Sequence, residues 1–540
     1  MTTDVAEPSH DIAPADDASM REGWHPGHRP WAIAFTVTLA TFMEVLDSSI
    51  ANVSLPHIAG NLSAGQDEST WVLTSYLVSN AIVLPISGWL ATRFGRKRFY
   101  MTCVALFTIS SFLCGLAPNL GLLIFFRVLQ GAGGGGLGPS EQSILADTFP
   151  PAKRGLAFAM YGMAVVFAPA VGPTLGGWIT DHFSWRWVFF INVPIGIISL
   201  FLSHRMVTDP PYLAEERKRV GSIDYVGIAL ITIGLGSLEV VLDKGQEEDW
   251  FASSLIVGST LTALVTLVAF VIWELHQEHP VVDLRLLKRR NFAASNVMML
   301  MLGASLFGTT VLLPLYLQTI MGYSAQQSGE ALSPGGVLIM CMMPVVGVLI
   351  SRVDGRWMIA FGFACLSASL FHMAHKLYPG IDFGTAIQLR MMQAFGLAFL
   401  FVPINTLAYV GVPRAENNQA SGIINLSRNM GGDIGIAVAT TMIARRSQWH
   451  QSALVQHVSA GSEQLSAQLQ GLTRAFEHAG SSTAVATRRA QAAVYRELLA
   501  QAQTLAYIDV LWLFAICTAL MIPLVFVMKR ASPGGAAMGH

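Results

Sequence analysis

Fourteen apolar stretches, each long enough to cross a lipid bilayer as a helix, set the limits on what this chain can become. A crossing needs about 20 such residues to span roughly 30 Å of hydrocarbon. Stretches of that kind lie near 31–53, 70–92, 99–118, 120–145, 156–180, 186–206, 224–242, 252–274, 292–319, 328–350, 357–375, 384–411, 418–444 and 505–528. Hydrocarbon offers the backbone no hydrogen bonds, so each segment must satisfy its own as a helix. The expected fold is therefore an all-α integral membrane protein embedded in the lipid bilayer. Composition agrees, since 12% of the 540 residues are charged, about half the share usual in soluble domains.

Other classes of function lack their parts. The net charge of −1 leaves no basic field to hold nucleic acid. Cys103, Cys114, Cys341, Cys365 and Cys517 all fall in apolar stretches without a CxxC spacing, which points away from a disulfide framework or a metal site. Neither a Walker loop, an HExxH, nor a GxSxG elbow occurs, so ATP-driven transport and hydrolysis are disfavoured. The expectation is a secondary active transporter rather than an enzyme, with a proton gradient in place of a cofactor. A channel would not need the two repeated halves described below.

Lys and Arg concentrate in the cytoplasmic loops of membrane proteins. Here every second loop carries them: Arg93, Arg96, Lys97 and Arg98; Lys153 and Arg154; Arg217, Lys218 and Arg219; Arg285, Lys288, Arg289 and Arg290; Arg352 and Arg356; Arg414; and Lys529 and Arg530. Fourteen crossings then place both ends in the cytoplasm. The expected organisation is a disordered cytoplasmic tail over 1–30, a six-helix bundle over 31–206, a cytoplasmic linker over 207–223 and two inserted helices over 224–274. A basic linker over 275–291, a second six-helix bundle over 292–528 and a tail over 529–540 complete it. The long outer loop at 445–504 departs from the charge pattern with Arg445, Arg446, Arg488 and Arg489, as long loops do. Its Leu465, Leu469, Leu472 and Phe476 recur at helical spacing, predicting one or two amphipathic helices outside the membrane. They would serve as a partner surface or as a cap over the outer mouth.

An acid at the centre of a membrane helix costs about 2.5–3.5 kcal/mol on insertion scales, so it marks a functional candidate. Glu44 and Asp47 meet that test, and three residues of helix put them about 60° apart, on a stripe shared with Ser48 and Ala51. Arg127 and Asp47 both fall about 10 Å below the outer surface at 1.5 Å per residue. At matched depth, Arg127 would hold Asp47 ionised until a conformational change parts them; desolvation alone would then favour proton uptake. The plainer alternative is a salt bridge that only anchors. Asp433 is a third acid near mid-membrane, with Arg428 as a local partner or a coupling role as the two readings.

A long-period echo links the two halves. Arg127 and Gln130 reappear as Arg390 and Gln393, Gly133 as Gly396, Pro150 as Pro413 and Gly172 as Gly435, at one offset of 263 residues. Transporters built from repeats place their site between the halves near the midplane.

These residues also carry a family resemblance. The stretch Leu46 to Pro56, around Asp47, resembles the first-helix motif of the fourteen-helix drug:proton antiporters of the major facilitator superfamily, EmrB/QacA type. Gly88 to Lys97 is similar to the superfamily's loop motif, Arg127 to Gly133 to its fourth-helix motif, and Ala170 to Gly177 to the antiporter motif. The likeness continues through Trp185 to Pro194 and covers roughly 31–530. It implies fourteen helices in two pseudo-symmetric six-helix bundles plus two inserted helices, in the inner membrane of a bacterium. It also implies multidrug efflux coupled to protons, with Asp47, Glu44, Arg127 and Asp433 handling the proton. Gly88, Arg93, Gly95 and Arg96, with Gly172, Pro173, Gly176 and Gly177, become conformational motifs. Tyr76, Asn80, Gln130 and Asn405 become candidates for a cavity that takes amphipathic small molecules. In two-membrane bacteria such a protein works with a periplasmic adaptor (membrane fusion) protein and an outer-membrane channel. The same fold also hosts proton-coupled transporters of a single metabolite, siderophore or fatty acid. One departure stands out: Thr92 replaces an acid of the loop motif, so a charge interaction there is absent or replaced.

Overall fold

The computed structural model describes residues 27–219, 223–457 and 463–529. Of the tails expected over 1–30 and 529–540, residues 1–26 and 530–540 lie outside them, as does part of each of the 207–223 linker and the 445–504 loop. The first half contains α1 (Pro30–Asn61), α2 (Gln66–Phe94), α3 (Arg96–Leu116), α4 (Leu120–Gly134), α5 (Leu137–Thr148), α6 (Pro151–His182), α7 (Trp187–Phe190) and α8 (Asn192–Met206). A short helix α9 (Tyr212–Arg219) leads to a hairpin of α10 (Tyr225–Lys244) and α11 (Ser254–His276). The second half contains α12 (Arg290–Thr319), α13 (Ala325–Leu349), α14 (Gly355–Lys376), α15 (Phe383–Ala408), α16 (Asn417–His457), α17 (Glu463–His478) and α18 (Thr483–Val525).

Among the described residues, twelve spans are long and apolar enough to cross a membrane. The two parts of α6, bent by 45°, make a thirteenth. The remaining expected segment, 418–444, falls inside α16, a less apolar helix that carries Asn425, Arg428, Asn429 and Asp433. The expected segment 120–145 is two helices, α4 and α5, separated at Gly135 and Gly136.

Helices α1 to α8 pack into one bundle, and α12 to α16 with α18 into another. The echo in the sequence is an echo in packing. A Cβ on Gly133 would lie 2.7 Å from the Phe107 nitrogen, and one on Gly396 2.6 Å from the Leu366 nitrogen, so both glycines let α4 and α15 press against the preceding helix. Gly172 faces Ser49 on α1, and Gly435 faces Ala304 on α12, again with no room for a side chain. The hairpin of α10 and α11 lies outside both bundles, with α10 against α2 and α16.

The most extensive contacts between the bundles are α6 with α13 and α2 with α16, with α15 on α6 and α16 on α5 besides. At the basic end they close tightly: a Cβ on Gly88 would lie 2.6 Å from the Asn418 carbonyl oxygen. Beyond the opposite end, α16 and α18 continue as helices, and α17 packs on α18. Leu465, Leu469, Leu472 and Phe476 are half-buried while none of α17 is fully buried. The outer segment is thus a helical hairpin raised on the second bundle. Reporter fusions at Lys218 and Gly471 are expected on opposite sides, cytoplasmic and exterior respectively; both on one side would refute this orientation.

Candidate functional site

The first bundle has a charged centre. Asp47 on α1 and Arg127 on α4 are both buried, and Arg127 Nη1 donates to Asp47 Oδ2 at 2.6 Å. The other carboxylate oxygen accepts from Gln130 Nε2 at 2.9 Å and from Asn192 Nδ2 of α8 at 2.6 Å. Arg127 also donates through Nε to the Val72 carbonyl at 3.0 Å, and its guanidinium lies 4.2 Å from the Tyr76 ring centroid. Such donors stabilise an ionised carboxylate where water is absent. Gly131 makes the approach feasible, because its missing side chain lets α4 touch the backbone of Tyr76 on α2. Asn192 escaped sequence reasoning, although it is the polar residue in the apolar run Val188 to Val193.

One turn inward on α1, Glu44 accepts from Tyr76 Oη at 3.0 Å and Asn80 Nδ2 at 3.2 Å, both on α2. A third acid, Glu141 on α5, was not anticipated, though its charge within the expected segment 120–145 was the available signal. It is fully buried, and Thr38 Oγ1 donates to it at 2.5 Å. Arg428, from the other bundle, is the cation acting on both Glu44 and Glu141. Its Nη1 donates to Tyr161 Oη at 2.8 Å, which donates in turn to Asn425 at 2.8 Å. Asn425 donates to Gln142 at 2.9 Å, and Gln142 to Asn405 at 3.2 Å. A polar layer therefore crosses between the halves at mid-depth, below the Asp47 pair.

Four cavity candidates thus divide into two groups. Tyr76 and Asn80 face Glu44 and are themselves buried, so they line no open space in this conformation. Gln130 and Asn405 do not line an open space: both are fully buried, Gln130 within the Asp47 network and Asn405 within the polar layer. Arg428 is not the partner of Asp433, since it bonds Tyr161 and Asn429.

The second bundle repeats the geometry without the acid. Arg390 Nη1 donates to Gln393 at 2.7 Å, as Arg127 does to Gln130 at 2.8 Å. Thr309 and Thr310 stand where Asp47 stands in the first half.

The loop motif forms a latch at the basic end. Gly95 adopts φ +93 between α2 and α3, a turn that favours glycine. Arg96 Nη1 then reaches Asp147 Oδ2 at 2.6 Å. Asp147 also accepts from Tyr212 Oη and from Asn417 Nδ2 of the second bundle at 3.0 Å. Burial pushes the Tyr212 hydroxyl far above its usual range, so it stays a donor. Thr92, at the position of the missing acid, is bonded by Asn418 Nδ2 at 3.2 Å, so a neutral hydrogen bond occupies that place. Arg93 is half-exposed and lines a groove with Asp209 and Arg217. In the antiporter motif, Gly172 and Gly176 pack against Ser49 and Ile50, Gly177 faces open space and Pro173 lies in the helix beyond the bend.

Residues 37–436 match the family model described as Major Facilitator Superfamily. The chain is 39% identical to the Multidrug export protein EmrB of Escherichia coli (strain K12), over 82% of this chain and 86% of that one. It is 40% identical to the Fatty acid resistance protein FarB of Neisseria gonorrhoeae, over 79% and 83%. The Colistin resistance protein EmrB of Acinetobacter baumannii is 30% identical over 91% and 94%. Among solved structures, the proton:xylose symporter XylE aligns with a TM-score of 0.58 at 13% identity, over 92% of this chain and 96% of that one; at that identity it speaks for the fold alone.

Proposed function

Since this chain belongs to the Major Facilitator Superfamily and is a multi-pass membrane transporter of the EmrB type rather than an enzyme, we propose that it exports amphipathic small molecules in exchange for protons. The site of action is the inner membrane of a bacterium. The observation that carries the proton half is the buried Asp47–Arg127 pair, 2.6 Å apart. An isolated buried ion pair gains little over apolar packing, so its worth lies in being separable. Parting Arg127 from Asp47 leaves a desolvated carboxylate that takes up a proton. Glu44, bonded by uncharged donors, is a second carrier facing the polar layer, and Asp433 a third.

The drug half rests on the relatives' names, with Tyr76 and Asn80, buried against Glu44, as the polar groups that would meet a substrate once the halves part. Export of one class of compound, such as fatty acids, is the second reading, favoured by the likeness to FarB. The two separate in liposomes holding the purified chain and an internal pH dye. Ethidium, as a lipophilic cation, is expected to drive proton movement; a response to oleate with none to ethidium would favour the second reading, and no response to either would refute proton exchange.

We further assign the outer hairpin of α17 and α18 to docking of a periplasmic adaptor that leads to an outer-membrane channel. Replacing 459–481 by a short Gly-Ser linker is expected to keep transport in vesicles and abolish resistance in whole cells. Equal loss in both assays would make the hairpin a structural element and remove the docking role.

A further inference from the structure

The inserted hairpin brings into the membrane interior an acid that no motif accounts for. Glu239 on α10 is 1% exposed, and its Oε2 has no hydrogen-bond partner. Three helices wall it in. Next to it Gly236 lies against Val78 and Ile82 of α2 and Gly234 against Leu267 of α11, while α16 closes the remaining side. The outer end of that side is pinned by Trp250 Nε1, which donates to Thr441 Oγ1 of α16 at 3.1 Å.

Measured from the inner ends of their helices at Tyr225 and Asn417, Glu239 lies about 21 Å along α10 and Asp433 about 24 Å along α16. The two carboxyls therefore stand at one level, and Asp433 is the foremost charge acting on Glu239, followed by Asp243. Asp243 also acts on Asp433. It lies one turn outward of Glu239 on the same face of α10, where Thr74 of α2 donates to it.

The cations nearby are engaged elsewhere. Lys244 bonds Thr70 and Glu247, Arg428 bonds Tyr161 and Asn429, and Arg446 bonds Asp509 of α18 beside His450. Of the other ionisable groups on the packed helices, Tyr76 in the middle of α2 donates to Glu44 and Arg445 lies about three turns outward of Asp433 on α16. Glu68 and Arg93 on α2, Glu274 and His276 on α11 and Arg290 on α12 lie near helix ends. Two desolvated carboxylates at one level repel strongly when both are ionised, so the resting state shares a proton or holds a cation.

We propose that Glu239 and Asp433 hold one exchangeable proton between them, a second proton site at the seam of the inserted hairpin and the second bundle, reached from outside past Asp243. This deepens the proton-coupling role given to Asp433 and assigns a task to the hairpin. The proton exchanges by simple transfer between carboxyl oxygens and water, so no co-reactant is needed.

The test does not depend on transport. In the purified full-length chain in lipid, infrared spectra at neutral pH are compared in the protonated-carboxyl C=O region. Glu239→Gln and Asp433→Asn are each expected to keep one protonated carboxyl, shifted in frequency but not in intensity, because the desolvated survivor holds the proton the pair had shared. Only the double variant should remove the band, since one proton is shared by the pair and either carboxyl alone can hold it. Asp47→Asn should leave this difference band in place. Glu239→Asp, which keeps the carboxyl, should keep the band, and its loss there would count against the proposal as collapse of the site. An unshifted band in either neutral variant, loss of intensity in a single variant, a band that survives in the double variant, or one that follows Na+ or K+ concentration instead of pH would overturn it. A positive result here with no proton flux on adding ethidium would refute the exchange reaction but keep the site.

Discussion

Asp47→Asn is expected to reduce ethidium-driven proton movement to the level of protein-free vesicles while the chain still inserts in the membrane. The substitution preserves shape but removes both the titratable group and the negative charge facing Arg127. An amide in that place has one acceptor oxygen for the three donors Arg127, Gln130 and Asn192, and its own N–H groups then face one of them. Leaving a buried cation unpaired costs roughly 3–5 kcal/mol, so the variant should also melt at a lower temperature. Loss of flux must therefore be separated from loss of structure. The double variant with Arg127→Gln removes the stranded charge; it is expected to recover much of the stability and none of the proton movement. Retained flux in Asp47→Asn would show that Glu44 or Asp433 carries the proton instead. Recovery of flux in the double variant would show that the pair is an anchor only.

The Asp47–Arg127 pair was readable in the sequence because depth in a bilayer is a one-dimensional coordinate. Position along each helix fixes it to within a turn, and two opposite charges at equal depth in hydrocarbon have strong reason to meet. The crossings were readable for a related reason, since lipid forces every apolar stretch of that length into a helix. Rotation about the helix axis was not readable. It decides that Gln130 turns to Asp47 and Asn405 to Gln142, whereas both residue types alone fit a cavity wall. Rotation also decides that Arg428 reaches across to Tyr161 instead of backward to Asp433. Asn192, Glu141 and Glu239 were missed because each acquires its role from a partner on another helix: Asp47, Thr38 and Asp433. The outer segment at 445–504 read as a loop carrying one or two amphipathic helices. What its polar residues hid is that the membrane helices themselves extend into it, α16 unbroken to His457 and α18 from Thr483, helped by good helix formers such as Ala, Gln and Arg.

Asp147→Ala is expected to open the basic end. Asp147 gathers three donors from three parts of the chain: Arg96 at 2.6 Å within its own bundle, Tyr212 from the linker helix and Asn417 at 3.0 Å from the opposite bundle. At this end of the seam the last bond is made by a charged group; the Thr92–Asn418 and Ser143–Ser421 contacts beside it are neutral. With Thr92 in place of an acid, the latch has no second charge to fall back on. A hydrogen bond to a charged group contributes about 1.5–3 kcal/mol, so its removal shifts the equilibrium between closed and open inner ends by roughly 10- to 100-fold. The readout is Ser421→Cys, whose parent side chain is fully buried at the seam, where it meets Ser143 at 2.6 Å. In inside-out vesicles, a membrane-impermeant maleimide should label this cysteine at least tenfold faster when Asp147 is Ala. Cys103 and Cys114, both buried within the first bundle, serve as internal controls, since general unfolding would expose them as well. Asp147→Asn keeps an acceptor for Asn417 and should fall between the two. Unchanged labelling at position 421 in Asp147→Ala would mean that glycine packing at Gly88 and the α6–α13 contact hold the end shut without the charge.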